Sequence, residues 1–78
     1  MINKKTYIEI RGRNTLLLEG LDRITEYGDK RIAVRCSDCT VAVNGDRLTL
    51  AYLAESRISI EGRIDTIEYI EKQHTKSR

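Results

Sequence analysis

The chain has 78 residues, of which 14 are Lys or Arg and 12 are Asp or Glu, so its formal net charge is only +2. This length fits one domain with a small core. The near balance of charge excludes the strongly basic footprint of a dedicated nucleic-acid binder. Because Pro, Phe and Trp are absent, aliphatic residues must form the core, and Gly, Asn, Asp and Ser must form the turns.

No secretion signal is expected, because residues 6–9, which follow Lys4 and Lys5, do not form an apolar region. The longest strictly apolar runs, such as residues 16–18, are far shorter than the roughly 20 residues of a transmembrane helix. We therefore expect a soluble, cytoplasmic protein whose two cysteines are reduced.

The N-terminal part of the chain predicts a flexible start and then strands. Residues 1–5 are polar and are expected to form a flexible N-terminus. Apolar and polar residues alternate over residues 6–11 and 15–19, which predicts two strands joined by a turn at residues 12–14. Residues 20–26 fit either one helical turn or a bent strand, and the β-rich surroundings favour the bent strand.

A turn at residues 28–30 leads into the clearest predicted hairpin, which is closed by Ser37-Asp38. Three apolar residues before that connection and three after it fall on one face of the sheet. The predicted facing pairs are Ile32 with Val43, Val34 with Val41, and Cys36 with Cys39.

Asn44-Gly45 is the strongest short hairpin signal in the chain. A turn at this point would place Leu48 opposite Val41 and complete a three-stranded antiparallel meander with one apolar face. Three arginines are expected on the opposite, polar face as a possible partner-binding face: Arg31, Arg35 and Arg47.

The last predicted strand region, residues 57–70, contains a shift in its alternation. The apolar phase that runs up to Ile64 changes at Ile67 and Tyr69, and a shift of one residue predicts a bulge or a tight corner. Gly62 is expected to adopt a backbone geometry closed to β-branched residues. A weak repeat of this pattern occurs over residues 16–27.

Together these elements predict a single all-β domain over residues 6–71, followed by a polar C-terminal tail at residues 72–78. The expected architecture is a small antiparallel β-sandwich, immunoglobulin-like or a partly open barrel, with seven to eight short strands. Because open sheets expose unpaired edges, we expect self-association or docking of a protein partner rather than catalysis.

The candidate chemical groups favour a structural interpretation. The pair Cys36 and Cys39 could form a redox motif or half of a zinc site. Zinc would need two more ligands, and the only histidine is His74 in the tail. A thioredoxin-like motif needs a strand followed by a helix. We therefore interpret the cysteines as small apolar residues at the edge of the core, and expect no catalytic residue, metal or cofactor.

Acidic and basic residues are also expected to be ordinary surface groups. Five carboxylates fall on outward strand positions or turns, as expected of solvated faces: Glu19, Glu26, Glu61, Asp65 and Glu68. A basic stripe of arginines could hold a nucleic-acid backbone. However, stacking aromatics are few, and pairing with nearby acids is the simpler account. Nucleic-acid binding is therefore not the expected function.

The pattern resembles the YabP/YqfC family of small sporulation proteins over roughly residues 15–70. The matching features are L-x-L-x-G-hydrophobic at 16–21, an aliphatic hairpin at 32–43, x-G-x-x-L-x-L at 44–50, and I-x-I-x-G-x-I-x-x-I-x-Y at 58–69. The two cysteines are a departure, because the family hairpin usually carries Thr and Gly.

This resemblance implies a non-enzymatic protein of endospore-forming bacteria with an immunoglobulin-like or related small β-sandwich. It implies a role in spore development or envelope assembly, in the mother cell or the developing spore envelope. The partners expected are therefore other sporulation proteins, beside the self-association through β-edges that the open sheet already predicts.

Two alternatives belong to other functional classes. Residues 60–70 also resemble the second signature of Sm-like RNA-binding proteins, in which a Gly lies between two short strands. That fold normally begins with a helix, whereas residues 1–13 predict strand, and its first signature is absent. An enzyme would require a deep polar pocket with convergent carboxylates or a metal held by cysteine.

Overall fold

The structure is a computed structural model that describes residues 6–37 and 39–71. These residues form an all-β domain with six strands in one open antiparallel sheet, in the order β1-β2-β6-β5-β4-β3. The strands are β1 (Tyr7–Arg11), β2 (Thr15–Glu19), β3 (Leu21–Tyr27), β4 (Arg31–Cys36), β5 (Cys39–Ala54) and β6 (Arg57–Glu71). The predicted flexible N-terminus and C-terminal tail lie outside the described residues.

Two long strands, β5 and β6, form the hairpin on which the sheet is built. Each flanking strand pairs with only part of a long strand. Within β6, β2 pairs with residues 57–61, and within β5, β4 pairs with residues 40–44. The sheet therefore has two halves. The first half-sheet contains β1, β2, residues 57–61 and residues 49–54. The second half-sheet contains β3, β4, residues 40–44 and residues 66–70.

Both half-sheets contribute to a single hydrophobic core. Alternation within each strand places the buried side chains on one face of the sheet. If it were straight, β5 would span about 50 Å, whereas the longest dimension of the molecule is 40 Å. The long hairpin therefore bends and brings the two apolar halves together. The core residues are Leu16, Leu18, Leu21, Ile32, Val34, Cys36, Val41, Val43, Leu48, Ile58, Ile60 and Ile64.

The bend lies where the backbones of β5 and β6 approach most closely. Register shifts interrupt their pairing on both sides of Gly45. A β-carbon at Gly45 would overlap the carbonyl oxygen of Arg63, and one at Gly62 would overlap that of Arg47. Gly62 also has a φ of 131°, which side chains disfavour. Both positions therefore require glycine. We call this region the crossing.

The turns of the two outer hairpins satisfy the backbone amides that the crossing removes from the regular ladder. Each of the two turns accepts two such hydrogen bonds, so the arrangement occurs once in each half of the sheet. The bonds are Gly45 N to Lys30 O (3.0 Å), Leu48 N to Asp29 O (2.8 Å), Gly62 N to Asn14 O (3.0 Å) and Ile64 N to Arg13 O (2.8 Å). The repeated arrangement relates Gly45 to Gly62, and it does not involve residues 16–27, which the sequence presents as the weak repeat of residues 57–70.

Several local predictions are confirmed. The β4–β5 hairpin has the expected register, with Val34 opposite Val41 and Ile32 opposite Val43. Residues 21–27 form a strand with two register shifts rather than a helical turn. The predicted slip before Ile67 is an extra residue in β6, Asp65, between two paired positions.

The predicted turn at Asn44-Gly45 is wrong. β5 continues through both residues, which pair with Thr66 and Ile64 of β6, and Val41 lies opposite Tyr69 instead of Leu48. Gly45 is needed for the close approach to β6 and not for a tight turn. The predicted three-stranded meander is therefore replaced by the long β5–β6 hairpin.

The strand count and the layering also differ from the prediction. The described residues form six strands rather than seven or eight, and one sheet rather than a two-sheet, immunoglobulin-like sandwich. The difference arises because β5 and β6 each supply what the sequence presents as two short strands. No helix occurs among the described residues, and β1 is a strand, unlike the helix with which Sm-like folds begin.

Substitution at the crossing should destabilise the fold strongly. We expect Gly45→Ala and Gly62→Val each to lower the free energy of unfolding by at least about 2 kcal/mol, because a new side chain would force the two strands apart. Gly62→Val should cost more than Cys36→Ala or Cys39→Ala. Urea unfolding followed by circular dichroism measures these changes.

Gly28→Ala is the matched control. A β-carbon at Gly28 would meet only one atom, at the ordinary contact distance of 3.5 Å, so its effect should stay within about 1 kcal/mol. Equal unfolding midpoints for Gly62→Val and the wild type would contradict this assignment.

Candidate partner-binding surfaces

Arg31 lies at the centre of a polar network that crosses the four strands of the second half-sheet. Its Nε donates to Glu26 Oε1 on β3 at 3.1 Å, and its Nη1 donates to Asn44 Oδ1 on β5 at 2.9 Å. Nη1 also lies 3.5 Å from Glu68 Oε1 on β6. Asn44 Nδ2 donates in turn to Thr66 Oγ1 at 3.0 Å. Arg31 therefore links strands within the sheet.

Small residues on the same face explain how these long side chains can lie flat. Ala33 and Ala42 face each other across β4 and β5 and are buried, although they alternate with the core residues. Long neighbouring side chains can cover such alanines with their methylene stems. This face is therefore packed as well as charged.

Arg35 lies in a different environment on the same strand. It faces Arg23 of β3 directly across the ladder, and like charges in that position repel. Arg35 is half-buried and Arg23 is exposed. Within residues 6–37 and 39–71 neither guanidinium has an acidic partner within ion-pair distance. Among the described residues of this face, the pair therefore carries positive charge without an acidic partner.

Arg47, the third arginine of the predicted face, lies at the crossing. Its φ is 57°, and its side chain is 91% exposed, with a long 3.9 Å contact to Asp46. No described contact joins it to Arg31 or Arg35. The structure thus gives the three arginines three different environments, and their role as a partner-binding face stays a prediction.

An exposed ion pair holds the β3–β4 turn against β5. Lys30 Nζ donates to Asp46 Oδ1 at 3.0 Å. This hydrogen bond, reinforced by the positive charge of Lys30, lowers the pKa of the Asp46 carboxyl. The same bond and the negative charge of Asp46 raise the pKa of Lys30. The pair lies beside the backbone bond from Gly45 to Lys30, so the two contacts fix the same turn.

The edge strand β1 carries a similar polar cluster on its outer face. Arg11 Nε donates to Glu9 Oε2 at 2.9 Å, and Tyr7 Oη donates to Glu9 Oε1 at 3.2 Å. The Arg11 hydrogen bond and charge lower the pKa of Glu9. The negative charge of Glu9 raises the pKa of Tyr7. The negative charge of Glu9 is thus compensated by the neighbouring Arg11.

The remaining predicted groups lie at the surface or at the edge of the core. Cys36 is buried in the core and Cys39 packs against it, and both are thiols. Four of the five predicted surface carboxylates form exposed ion pairs with arginine: Glu19, Glu26, Asp65 and Glu68. His74 lies outside the described residues.

The structure reveals a surface that sequence reasoning missed. Several large apolar residues lie at sheet edges, opposite buried residues, yet remain largely exposed to solvent. Register places Tyr69 opposite Val41, and Leu53 opposite Ile58. The large apolar side chains between 43% and 65% exposed are Tyr7, Ile10, Tyr27, Tyr52, Leu53, Tyr69 and Ile70. Four of these residues lie opposite buried residues, so the apolar face of the sheet extends beyond the buried core: Ile10, Tyr27, Leu53 and Tyr69.

Two shallow, open grooves adjoin these edges. One, of about 250 Å³, lies between Ile10, Arg13 and residues 64–67 of β6. The other, of about 280 Å³, lies beside Tyr52 at the β5–β6 turn. Among the described residues, no three His, Cys, Asp or Glu side chains converge in a way that could hold a metal ion. Nor does that part of the chain contain a helix with the length and apolar character to cross a membrane.

Charge changes near the two ends of β4 should have opposite effects on stability, because Arg31 is paired with acids whereas Arg35 faces Arg23 of β3. We expect Arg31→Met to lower the free energy of unfolding by about 1 kcal/mol, because it removes charge-assisted bonds to two strands. Arg23→Glu should raise it by a few tenths of a kcal/mol, because it replaces repulsion across the ladder with attraction. Urea unfolding at low and high salt measures both effects. A loss of stability in Arg23→Glu would contradict the arrangement.

The Lys30–Asp46 pair should be visible in a pH titration. Because pairing lowers the folded-state pKa of Asp46, its contribution to stability is present above the unfolded-state pKa. That contribution is lost as pH falls through the folded-state pKa. In Lys30→Met, the carboxyl resonance of Asp46 should titrate at higher pH than in the wild type, as followed by NMR. An unchanged midpoint would show that the ion pair does not form in solution.

Comparison with known proteins gives the family. No curated protein matches this sequence significantly. The YabP family matches residues 2–76, which is nearly the whole chain and includes every described strand. This match confirms the resemblance drawn from the apolar and glycine pattern and supports a sporulation-related role. The chain therefore belongs to the YabP family.

Proposed function

We propose that this protein is a non-catalytic, protein-binding module that acts in spore development or envelope assembly. The observation that carries the proposal is the exposure of large apolar side chains at the edges of the core-facing side of the sheet. Tyr27 and Tyr69 lie on edge segments, opposite buried residues, and are more than 60% exposed. Removal of such side chains from water by a partner lowers the free energy of the complex.

The chemistry of this surface suits a protein partner. Tyrosine is enriched at protein interfaces because it combines a large apolar ring with a polar tip. Open edges also offer unpaired backbone groups to an incoming strand. Because most described acids are compensated locally by arginine or lysine, apolar contact rather than net charge would supply the attraction.

The arginine face would contribute a smaller, orienting part. Arg35 and Arg23 retain uncompensated positive charge close to Ile70, which lies beside Thr40 on the same face. An acidic side chain of a partner could neutralise the two guanidinium groups at the rim of the contact. In this account, Arg31 belongs to the fold and Arg35 to the interface. The site of action would be the mother cell or the developing spore envelope.

A complementation experiment in the spore-forming source organism tests the proposal. Deletion of the gene that encodes this chain should lower the count of heat-resistant spores, and expression of the wild-type chain should restore the count. Tyr69→Lys should restore it poorly and should co-purify with less of its partner from sporulating cells. The matched control is Asn14→Lys, which adds the same charge at an exposed turn and should behave as the wild type.

Two results would overturn the proposal. Normal spore formation without the chain would remove the sporulation role. Recovery of no specific partner, together with measurable turnover of a substrate by the purified chain, would replace binding with catalysis.

A further inference from the structure

The last part of β5 is a sheet edge with the composition of an interior strand. Residues 48–54, LTLAYLA, contain no charge. They pair with β6 on one side, and no described strand pairs with their other side. Residues 39–45 are equally uncharged, but they are flanked by β4 and β6. Exposed edges usually carry charges that prevent pairing with another chain.

The other edges of the sheet follow that rule. β1 carries the ion pair of Glu9 and Arg11. β3 carries Asp22, Arg23 and Glu26. Residues 64–70 of β6 contain Asp65 and Glu68. Residues 48–54 are therefore the one uncharged edge in the described part of the sheet.

This edge also exposes large apolar side chains. Tyr52 is 52% exposed and Leu53 is 58% exposed, and Leu53 lies opposite the fully buried Ile58. Ala51, which is exposed and small, is the extra residue at the register shift of this edge. The small side chain of Ala51 leaves room for a neighbouring backbone at the centre of the edge.

We propose that this edge pairs with the same edge of a second copy of the chain, antiparallel and about a two-fold axis. The inference goes beyond the proposed function, because this edge is separate from the segments that carry Tyr27 and Tyr69. If Ala51 faces its counterpart, Arg47 of one copy lies opposite Glu55 of the other, and the contact occurs twice by symmetry. Parallel pairing would instead place like charges together.

The two flanking charges are available for this contact. Arg47 has only the 3.9 Å contact to Asp46, an acid that already binds Lys30 at 3.0 Å. Glu55 is exposed and has no ion pair within the described residues. The edge is thus self-complementary in charge as well as in its apolar side chains.

The oligomeric state of the purified full chain, kept in reductant so that no intermolecular disulfide forms, tests the proposal. Sedimentation equilibrium should show a monomer–dimer equilibrium in the micromolar range, since one strand pair is smaller than a standard interface of about 1,600 Å². Leu53→Lys should weaken the dimer at least tenfold. Asn14→Lys, which adds the same charge at an exposed turn outside this edge, should leave it unchanged. Circular dichroism checks that each variant is folded.

A charge exchange identifies the register. Arg47→Glu alone and Glu55→Arg alone should each weaken the dimer, and the double variant should recover it. Amide exchange in residues 49–54 should slow as protein concentration rises. Recovery in the double variant supports the antiparallel register, and two additive losses overturn it.

The outcomes separate this inference from the proposed function. A wild-type chain that stays monomeric at high concentration, or a dimer that Leu53→Lys does not weaken, overturns the second-copy assignment. If Tyr69→Lys still impairs spore formation in that case, the proposed function stands. Conversely, a dimer that behaves as expected supports the second-copy assignment, even if deletion of the chain causes no sporulation defect and so removes the proposed function.

Discussion

The fold depends on the close approach of β5 and β6 at the crossing. Gly45 faces the backbone of Arg63, and Gly62 faces that of Arg47, with no room for a side chain at either glycine. The resulting shifts in register let the long hairpin bend, and the bend brings two apolar half-sheets onto one core. The bend leaves four amides outside the regular ladder, and turn carbonyls of the outer hairpins accept all four.

Sequence predicted the features that are determined locally. The β4–β5 hairpin follows from alternation and a two-residue connection, and the slip before Ile67 is visible as a change of phase. Asn44-Gly45 was misleading because a tight turn and a close strand approach both call for glycine. Only the partner distinguishes them, and Thr66, which binds Asn44, lies 22 residues further along the chain.

The candidate site was less predictable for a related physical reason. The sequence places Arg31 and Arg35 on one polar face, but it does not show that Arg31 meets acids from two other strands or that Arg35 faces Arg23. Whether an apolar residue is core or surface depends on strand order. Leu53 and Tyr69 lie opposite the buried residues Ile58 and Val41, yet they lie on edges and are exposed. In the function proposed above, the open edges, rather than the arginine face alone, would therefore form the main binding surface.

Amide hydrogen exchange at the crossing tests the central claim most directly. The claim is that β5 is continuous and that turn carbonyls accept the amides of Gly45, Leu48, Gly62 and Ile64. The account predicts that these four amides exchange as slowly as those of Val41 and Ile60 within the sheet. Rapid exchange at Gly45 and Leu48, at the rate of the exposed Glu55 amide, would show a loop at this point and contradict the account.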